Sequence, residues 1–307
     1  MRIGLINIEP KIVNTALMQI AQYHRSCGRK VEWAGPNSLD QYDRLYCSSL
    51  FTFTQKDKLP RRVMRGGTGF SLTDQLPKAI SQCNYDYSIY PDCKFSIVWF
   101  SRGCIRRCPF CVVRTKEGKI HAVNPKPLNP KGELIKVQDN NFFANPEWPK
   151  AVRQLLKWDQ PVRMTSGIDL RLFDDAQGEA LRKINPKWVY VAWDNPRTDI
   201  IDKLKKLIRY IPAYRIFCYV LIGYWSTPEE DMHRIETLRS LGVLPYVMPY
   251  DKKNTYQKRL ARWVNCKQLF NTVSWEEYSP EMIYQQKKRR LRCQTTHHSN
   301  WSTQVTC

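Results

Sequence analysis

From Phe95 onward the chain repeats one unit six times: a short apolar run, then a helical pattern or a long loop. The runs are FSIVWFS, LIKVQDNNF, VRMTSGIDL, WVYVAWDN, RIFCYVLIG and LPYVMPY. In DIIDKLKKLIRY the residues Ile200, Ile201, Leu204, Leu207, Ile208 and Ile211 recur at helical spacing. TPEEDMHRIETLRSLG opens with a Thr227…Glu230 capping box, holds Pro228 in its first turn and closes at Gly242. Further helices are expected from Asn145–Pro146 to about Trp158, over DDAQGEALRKI and over residues 256 to 270. Strict alternation of strand and helix implies a parallel sheet, because a parallel strand needs a crossover to return. Six units are too few for a closed eight-fold barrel and suit an open, partial (β/α)6 TIM-like barrel.

The residues ahead of this core form a smaller α/β unit. RIGLINI reads as a strand, NTALMQIAQYHRSCG as a helix capped by Asn14 and ended by Gly28, and KVEWAG and RLYCSSLFT as two more strands. Together they suggest a Rossmann-like open sheet. The glycine turn MRGGTGF, residues 64 to 70, does not match a dinucleotide fingerprint, because its first glycines are adjacent and no helix opens from it. Residues 71 to 94 are polar, rich in turns and tyrosine, and read as a linker. The expected division is 1–92 for the front domain and linker, 93–272 for the partial barrel and 273–307 for a basic extension.

In parallel α/β barrels function gathers at the C-terminal ends of the strands. Those positions here hold Ser101 and a cysteine loop, Asp139, Asn140 and Asn141, Ser166 and Asp169, Asp194 and Asn195, and Tyr224 and Trp225. Any one of them can be explained as a helix cap. Five strand ends with polar residues together make a site.

The cysteine loop, SRGCIRRCPFCVV, places Cys104, Cys108 and Cys111 three and then two residues apart. Zinc favours four ligands in two pairs, and an ordinary iron–sulfur cube takes four thiolates. Three thiolates on one tight loop can instead hold a cube with one iron open to a small chelating molecule. A zinc site completed by a distant His or Cys is the alternative. The remaining eight cysteines are scattered singly, as small buried thiols are. No apolar run approaches the roughly 18 to 20 residues of a membrane span, and MRIGLINIEP has no signal-peptide core. The expectation is a cytoplasmic protein without a membrane partner, its cysteines kept as thiols or metal ligands.

The net charge is +21, from 49 Lys and Arg against 28 Asp and Glu. A field of that sign attracts polyanions, so RNA or DNA is an expected partner. The stretch QQKKRRLRCQ adds to the basic end of the chain. Phe142, Trp193 and Trp225, at strand ends, are candidates for stacking on a base.

The C-x3-C-x2-C spacing after the first strand of a partial barrel, with Phe110 just before the third cysteine, resembles the radical S-adenosylmethionine (radical SAM) enzymes over residues 93 to about 270. The resemblance implies that Cys104, Cys108 and Cys111 ligate a [4Fe–4S] cluster and that S-adenosylmethionine chelates the open iron. One electron, from a reductant such as flavodoxin or ferredoxin, would then release a 5′-deoxyadenosyl radical that abstracts hydrogen from the substrate. It implies that Phe110 contacts the adenine. It gives Asp139, Asn140 and Asn141, where the family has a Gly-Gly-Glu-like segment, the methionine amine. Asp169, Arg171 and Asp194 would meet the ribose, the carboxylate or the substrate. Gly223, in YVLIGY, would allow close approach of the cofactor. The front domain resembles the cobalamin-binding domains of one radical SAM class, but their Asp-x-His-x-x-Gly segment is missing, so a degenerate domain is expected. Comparison with the tRNA methylthiotransferases sets Cys27, Cys47 and Cys83 against a second cluster, without that family's Thr-x-Gly-Cys start. Modification of a nucleic acid or nucleotide is the expected activity. The alternatives are modification of a peptide or small metabolite, and an iron–sulfur protein that binds nucleic acid without turnover.

Overall fold

A computed structural model describes residues 1–57 and 59–283; the run QQKKRRLRCQ and the rest of the chain beyond residue 283 lie outside the described residues. The chain forms two compact units, Met1–Ser166 with Lys183–Lys187, and Gly167–Arg182 with the described residues from Trp188 onward.

The first unit begins with β1 (Arg2–Ile6), α1 (Thr15–Ser26), β2 (Lys30–Trp33), β3 (Arg44–Ser48) and β4 (Met64–Gly66). The four strands form one parallel sheet in the order β2-β1-β3-β4. Asn14 starts α1 as expected: its side-chain oxygen accepts from the N–H groups of Ala16 and Leu17, and its amide donates to Ser48. Leu17, Met18, Ile20 and Ala21 then pack with Ile3 and Leu5 of β1. Residues 71 to 94 are not an open tether. They contain α2 (Lys78–Ser81), and Ile80, Tyr87, Ile89 and Cys93 are buried in the same core. The tyrosines misled because only their tips are polar: the Tyr87 hydroxyl accepts from the Ile97 N–H and that of Tyr90 from the Asn14 N–H.

Next come β5 (Phe95–Val98), β6 (Ser101–Arg102), α3 (Val113–Glu117), β7 (His121–Ala122), β8 (Leu134–Val137), α4 (Trp148–Trp158) and β9 (Val162–Met164). Strands β5, β8 and β9 make a second parallel sheet. FSIVWFS is not one strand: it leaves the sheet after Val98, and Ser101–Arg102 turns into an antiparallel hairpin with His121–Ala122. That hairpin is the neck of the cysteine loop. VRMTSGIDL likewise pairs with β8 only over Val162–Met164.

In the second unit, Ile168 makes a single parallel bridge to Val191. The unit carries α5 (Asp175–Ile184, its last two residues counted with the first unit), β10 (Val189–Ala192), α6 (Ile201–Ile208), β11 (Ile216–Ile222), α7 (Pro228–Ser240) and β12 (Leu244–Pro249). Strands β10, β11 and β12 form a third parallel sheet. The capping box at Thr227 and Glu230 is formed. The expected last helix is two, α8 (Thr255–Asn265) and α9 (Lys267–Thr272), with a break at Cys266. The break lets Phe270 and Trp275 close on the buried Trp263 ring. The architecture is α/β with parallel sheets. No helix among the described residues is long and apolar enough to cross a membrane.

Candidate functional site

The cysteine loop leaves the C-terminal end of β5 and is closed at its neck by glycine. Gly103 has φ +78 and Gly118 φ +75, a region open to glycine at little cost. A Cβ on Gly103 would collide with the backbone carbonyls of Gly118 and Lys119. The Cys104 N–H donates to the Gly118 carbonyl across the gap. Beside it, Glu117 accepts from three donors: the Arg102 guanidinium at 2.7 Å, the Gly103 N–H at 3.0 Å and the Asn140 amide at 2.7 Å. Glu117 thus ties the neck of the loop to the end of β8. Sequence reasoning missed it, because its acceptor role depends on partners fifteen and twenty-three residues away.

Cys104, Cys108 and Cys111 are all half-buried on this loop. The Arg106 N–H points at the Cys104 sulfur at 3.4 Å, and the Asn141 amide approaches the same sulfur at 3.8 Å. The Cys111 N–H donates to the Cys108 carbonyl at 3.0 Å, tightening the turn that carries Phe110. Arg114 holds the Cys104 carbonyl at 3.0 Å. Positive charge from Arg102, Arg106, Arg107, Arg114 and Lys116 suits thiolates and an anionic cluster. Among the described residues no three His, Cys, Asp or Glu side chains gather as ligands of a single metal ion. Thiolates that each take a different iron of a cube need not converge.

The three polar residues after β8 do different things. Asp139 is 2% exposed and turned inward, accepting from the Phe100 N–H and the Ser101 hydroxyl. Burial pushes its carboxyl up to about 6 against those bonds. It braces the exit from β5. Asn140 holds Glu117. Asn141 is 3% exposed, and its side-chain oxygen has no hydrogen-bond donor among the described residues. A buried acceptor left without a donor is costly, so this atom suits a ligand N–H.

The remaining sequence-predicted residues lie in the second unit. Asp169 accepts from the Arg171 N–H and, at 2.6 Å, from its guanidinium. Asp194 accepts from the Leu221 N–H at 3.2 Å; burial raises its carboxyl, while Arg234 and Arg171 pull the other way. Gly223 has φ +74, but the space a Cβ would need is filled by the Gln257 side chain. Its close approach is to that side chain. Arg234, which sequence reasoning also missed, is fully buried. It donates to the carbonyls of Trp193, Asp194 and Leu221 and to the Asp231 carboxylate, pinning α7 to the ends of β10 and β11. Of the aromatic candidates, Phe142 and Trp193 are core residues, 2% and 4% exposed. Trp225 is 38% exposed and clusters with Tyr224, which also packs on Tyr250.

The thiols considered for a second cluster sit in unlike surroundings. Cys47 is buried among Ile6, Leu45 and Val63, and burial lifts its thiol to about 11. Cys83 donates to the Ala79 carbonyl, and Cys27 is exposed at the end of α1.

No protein-family model matches the sequence, and no curated protein matches it. Among solved structures it is similar to the radical S-adenosylmethionine methyltransferase TsrM from Kitasatospora setae, in a structure with cobalamin and a [4Fe–4S] cluster bound. The TM-score is 0.60 at 13% identity, over 81% of this chain and 74% of that one. This chain has the fold of a radical SAM enzyme.

Proposed function

We propose that this chain is a radical SAM enzyme that modifies a nucleic acid or nucleotide. The observation that carries the enzyme class is the loop of Cys104, Cys108 and Cys111, held at the C-terminal end of a parallel strand in a fold shared with a radical SAM methyltransferase. In this reading residues 1–92 are a Rossmann-like domain, residues 93–272 a partial barrel and residues 273–307 a basic extension. The parallel order β2-β1-β3-β4 and the two parallel three-stranded sheets, β5-β8-β9 and β10-β11-β12, are what this reading rests on.

The donor set fits the cofactors. Cys104, Cys108 and Cys111 would hold three irons of a [4Fe–4S] cluster, with S-adenosylmethionine on the fourth. Bound there and reduced by a flavodoxin or ferredoxin, the two would supply radical chemistry through S-adenosylmethionine cleavage. Asn141, whose buried oxygen has no donor among the described residues, would offer it to the methionine amine. Glu117 fixes Asn140 and the loop neck. Phe110 would lie along the adenine. Asp139 holds the backbone at Phe100.

Cobalamin does not fit the front sheet in the same way. At the C-terminal edge of that sheet the Glu9 carboxylate already fills the donors of Ser49, Leu50, Phe51 and Thr54. His24 is buried between Tyr46 and Arg29 and cannot serve as a cobalt ligand. We read the domain as degenerate and route no chemistry through it.

A nucleic acid as substrate is supported by the +21 charge and by the exposed aromatics Trp225 and Tyr250, 38% and 53% exposed, beside Lys252 and Lys253. The test is anaerobic reconstitution with iron and sulfide, then reduction with S-adenosylmethionine present, assaying 5′-deoxyadenosine and iron per chain. The reading expects about four irons and 5′-deoxyadenosine that disappears in Cys108→Ala. Iron without 5′-deoxyadenosine under any reductant would leave only a binding protein.

A further inference from the structure

Helix α3 is five residues long, too short to keep its place in water by its own hydrogen bonds. Its position is set by what its side chains hold. Arg114 donates to the Cys104 carbonyl, and Glu117 accepts from Arg102, the Gly103 N–H and Asn140. Of these partners only Asn140 lies outside the hairpin and its loop. One outside point leaves a short helix free to turn about it. Lys116 supplies a second: its ammonium donates to the hydroxyl of Thr68, 48 residues earlier in the chain. Among the described residues that ammonium has no other hydrogen bond and no ion pair. Burial is the largest influence on it and lowers its pKa, so the contact is made in a partly dry place.

Thr68 stands on a firm base. It belongs to the glycine turn after β4, whose Phe70 and Ser71 N–H groups both donate to the Gly67 carbonyl at 3.0 Å. The Gly69 N–H donates to the Ser49 carbonyl at 2.8 Å, and the Ser49 N–H to the Gly66 carbonyl at 3.0 Å. A Cβ on Gly67 or Gly69 would collide with Ser49, so the turn lies directly against the loop after β3. Ser49 is fully buried. That loop is fixed in its turn by Glu9, whose carboxylate accepts from the Leu50 and Phe51 N–H groups and the Ser49 and Thr54 hydroxyls. The glycine turn is part of the front sheet and not a free flap.

We propose that Lys116 is a positioning residue, and that the front sheet, through Thr68, is the anchor that holds the cysteine loop in place. Cys111 lies two residues before the start of α3, and Arg114 grips the Cys104 carbonyl. A turn of α3 would therefore carry both thiols with it, and the bond to Thr68 prevents that turn. The front sheet then has a task that needs no cofactor of its own. The inference rests on the cluster reading above only for what the loop carries; the tether itself is protein on protein.

The experiment uses the full chain, both free of iron and after anaerobic reconstitution, as wild type, Thr68→Val, Lys116→Met, Lys116→Arg and the double variant Thr68→Val/Lys116→Met. In the iron-free chain, amide hydrogen exchange is read over Val113–Glu117. In the reconstituted chain, the rate of iron loss to a chelator is read. Thr68→Val and Lys116→Met are expected to exchange about tenfold faster at α3, the worth of a hydrogen bond to a charged group, and to lose iron faster than the wild type. The double variant should be no worse than either single one, because both remove the same contact. Lys116→Arg keeps a cation with its donors and should behave as the wild type. Wild-type exchange and iron loss in both single variants, effects that add in the double variant, or an Arg variant that behaves as the Met variant would each overturn the tether. A fall in the urea midpoint with iron loss unchanged would make the contact merely structural and overturn it too. If the wild type takes up no iron, the cluster reading falls, and exchange at α3 still decides the tether.

Discussion

Glu117 shows how much a single carboxylate can organise. It receives the guanidinium of Arg102, a backbone N–H and the Asn140 amide, so removing its charge loosens the loop neck and a strand end at once. Glu117→Gln is expected to lower iron per chain after reconstitution by at least half, read by iron and sulfide analysis. Asn141 is the complementary case, an acceptor that waits for a donor. Asn141→Ala should leave iron content unchanged and weaken S-adenosylmethionine binding about tenfold, the worth of a hydrogen bond to a charged group, measured by calorimetry. His24 gives a prediction in pH. Burial first, then the charge of Arg29, lowers its pKa from 6.5 to about 4. The folded chain therefore keeps it neutral. Its contribution is complete above pH 6.5 and is lost as the pH falls toward 4, by up to about 3 kcal/mol. Urea midpoints of the apo chain should fall across that window, and His24→Gln should flatten the slope.

Secondary-structure elements were largely legible in the sequence where a local rule decides them. The Asn14 and Thr227 caps and the apolar runs of β1, β10, β11 and β12 carry their own signals. The cysteine triad was equally plain from spacing alone. What escaped were features set by partners far along the chain. The hairpin β6–β7 pairs residues about twenty apart, and nothing in FSIVWFS marks the exit after Val98. Arg234 looks like one more surface cation of an amphipathic helix until its five acceptors are seen. Residues 71 to 94 looked polar because their Ser, Asp, Gln and Asn outnumber the aliphatic residues, while the tyrosine rings that complete the core carry a polar tip. Two predictions belong here. Gly103→Ala should stop the loop from closing, with iron per chain falling from about four to below one, since no L side chain fits that φ beside the Lys119 carbonyl. Arg234→Met should cost about 3–5 kcal/mol in chemical denaturation, because Asp231 would be left as a buried, unpaired charge.

For the whole molecule, the governing quantity is the excess of 21 positive charges. If those charges meet phosphates, the logarithm of affinity for RNA or DNA should fall linearly with the logarithm of salt, with a slope near −0.7 per phosphate neutralised on a single strand. A flat salt series would assign the charge to solubility instead. The neck at Gly103 and Gly118 is held by backbone turns and the Glu117 tie, which consist of protein atoms alone. If the loop carries a cluster, as proposed, the shape of its neck belongs to folding and the cluster to a later, separate event, so loss of iron would leave the tie in place to guide its return.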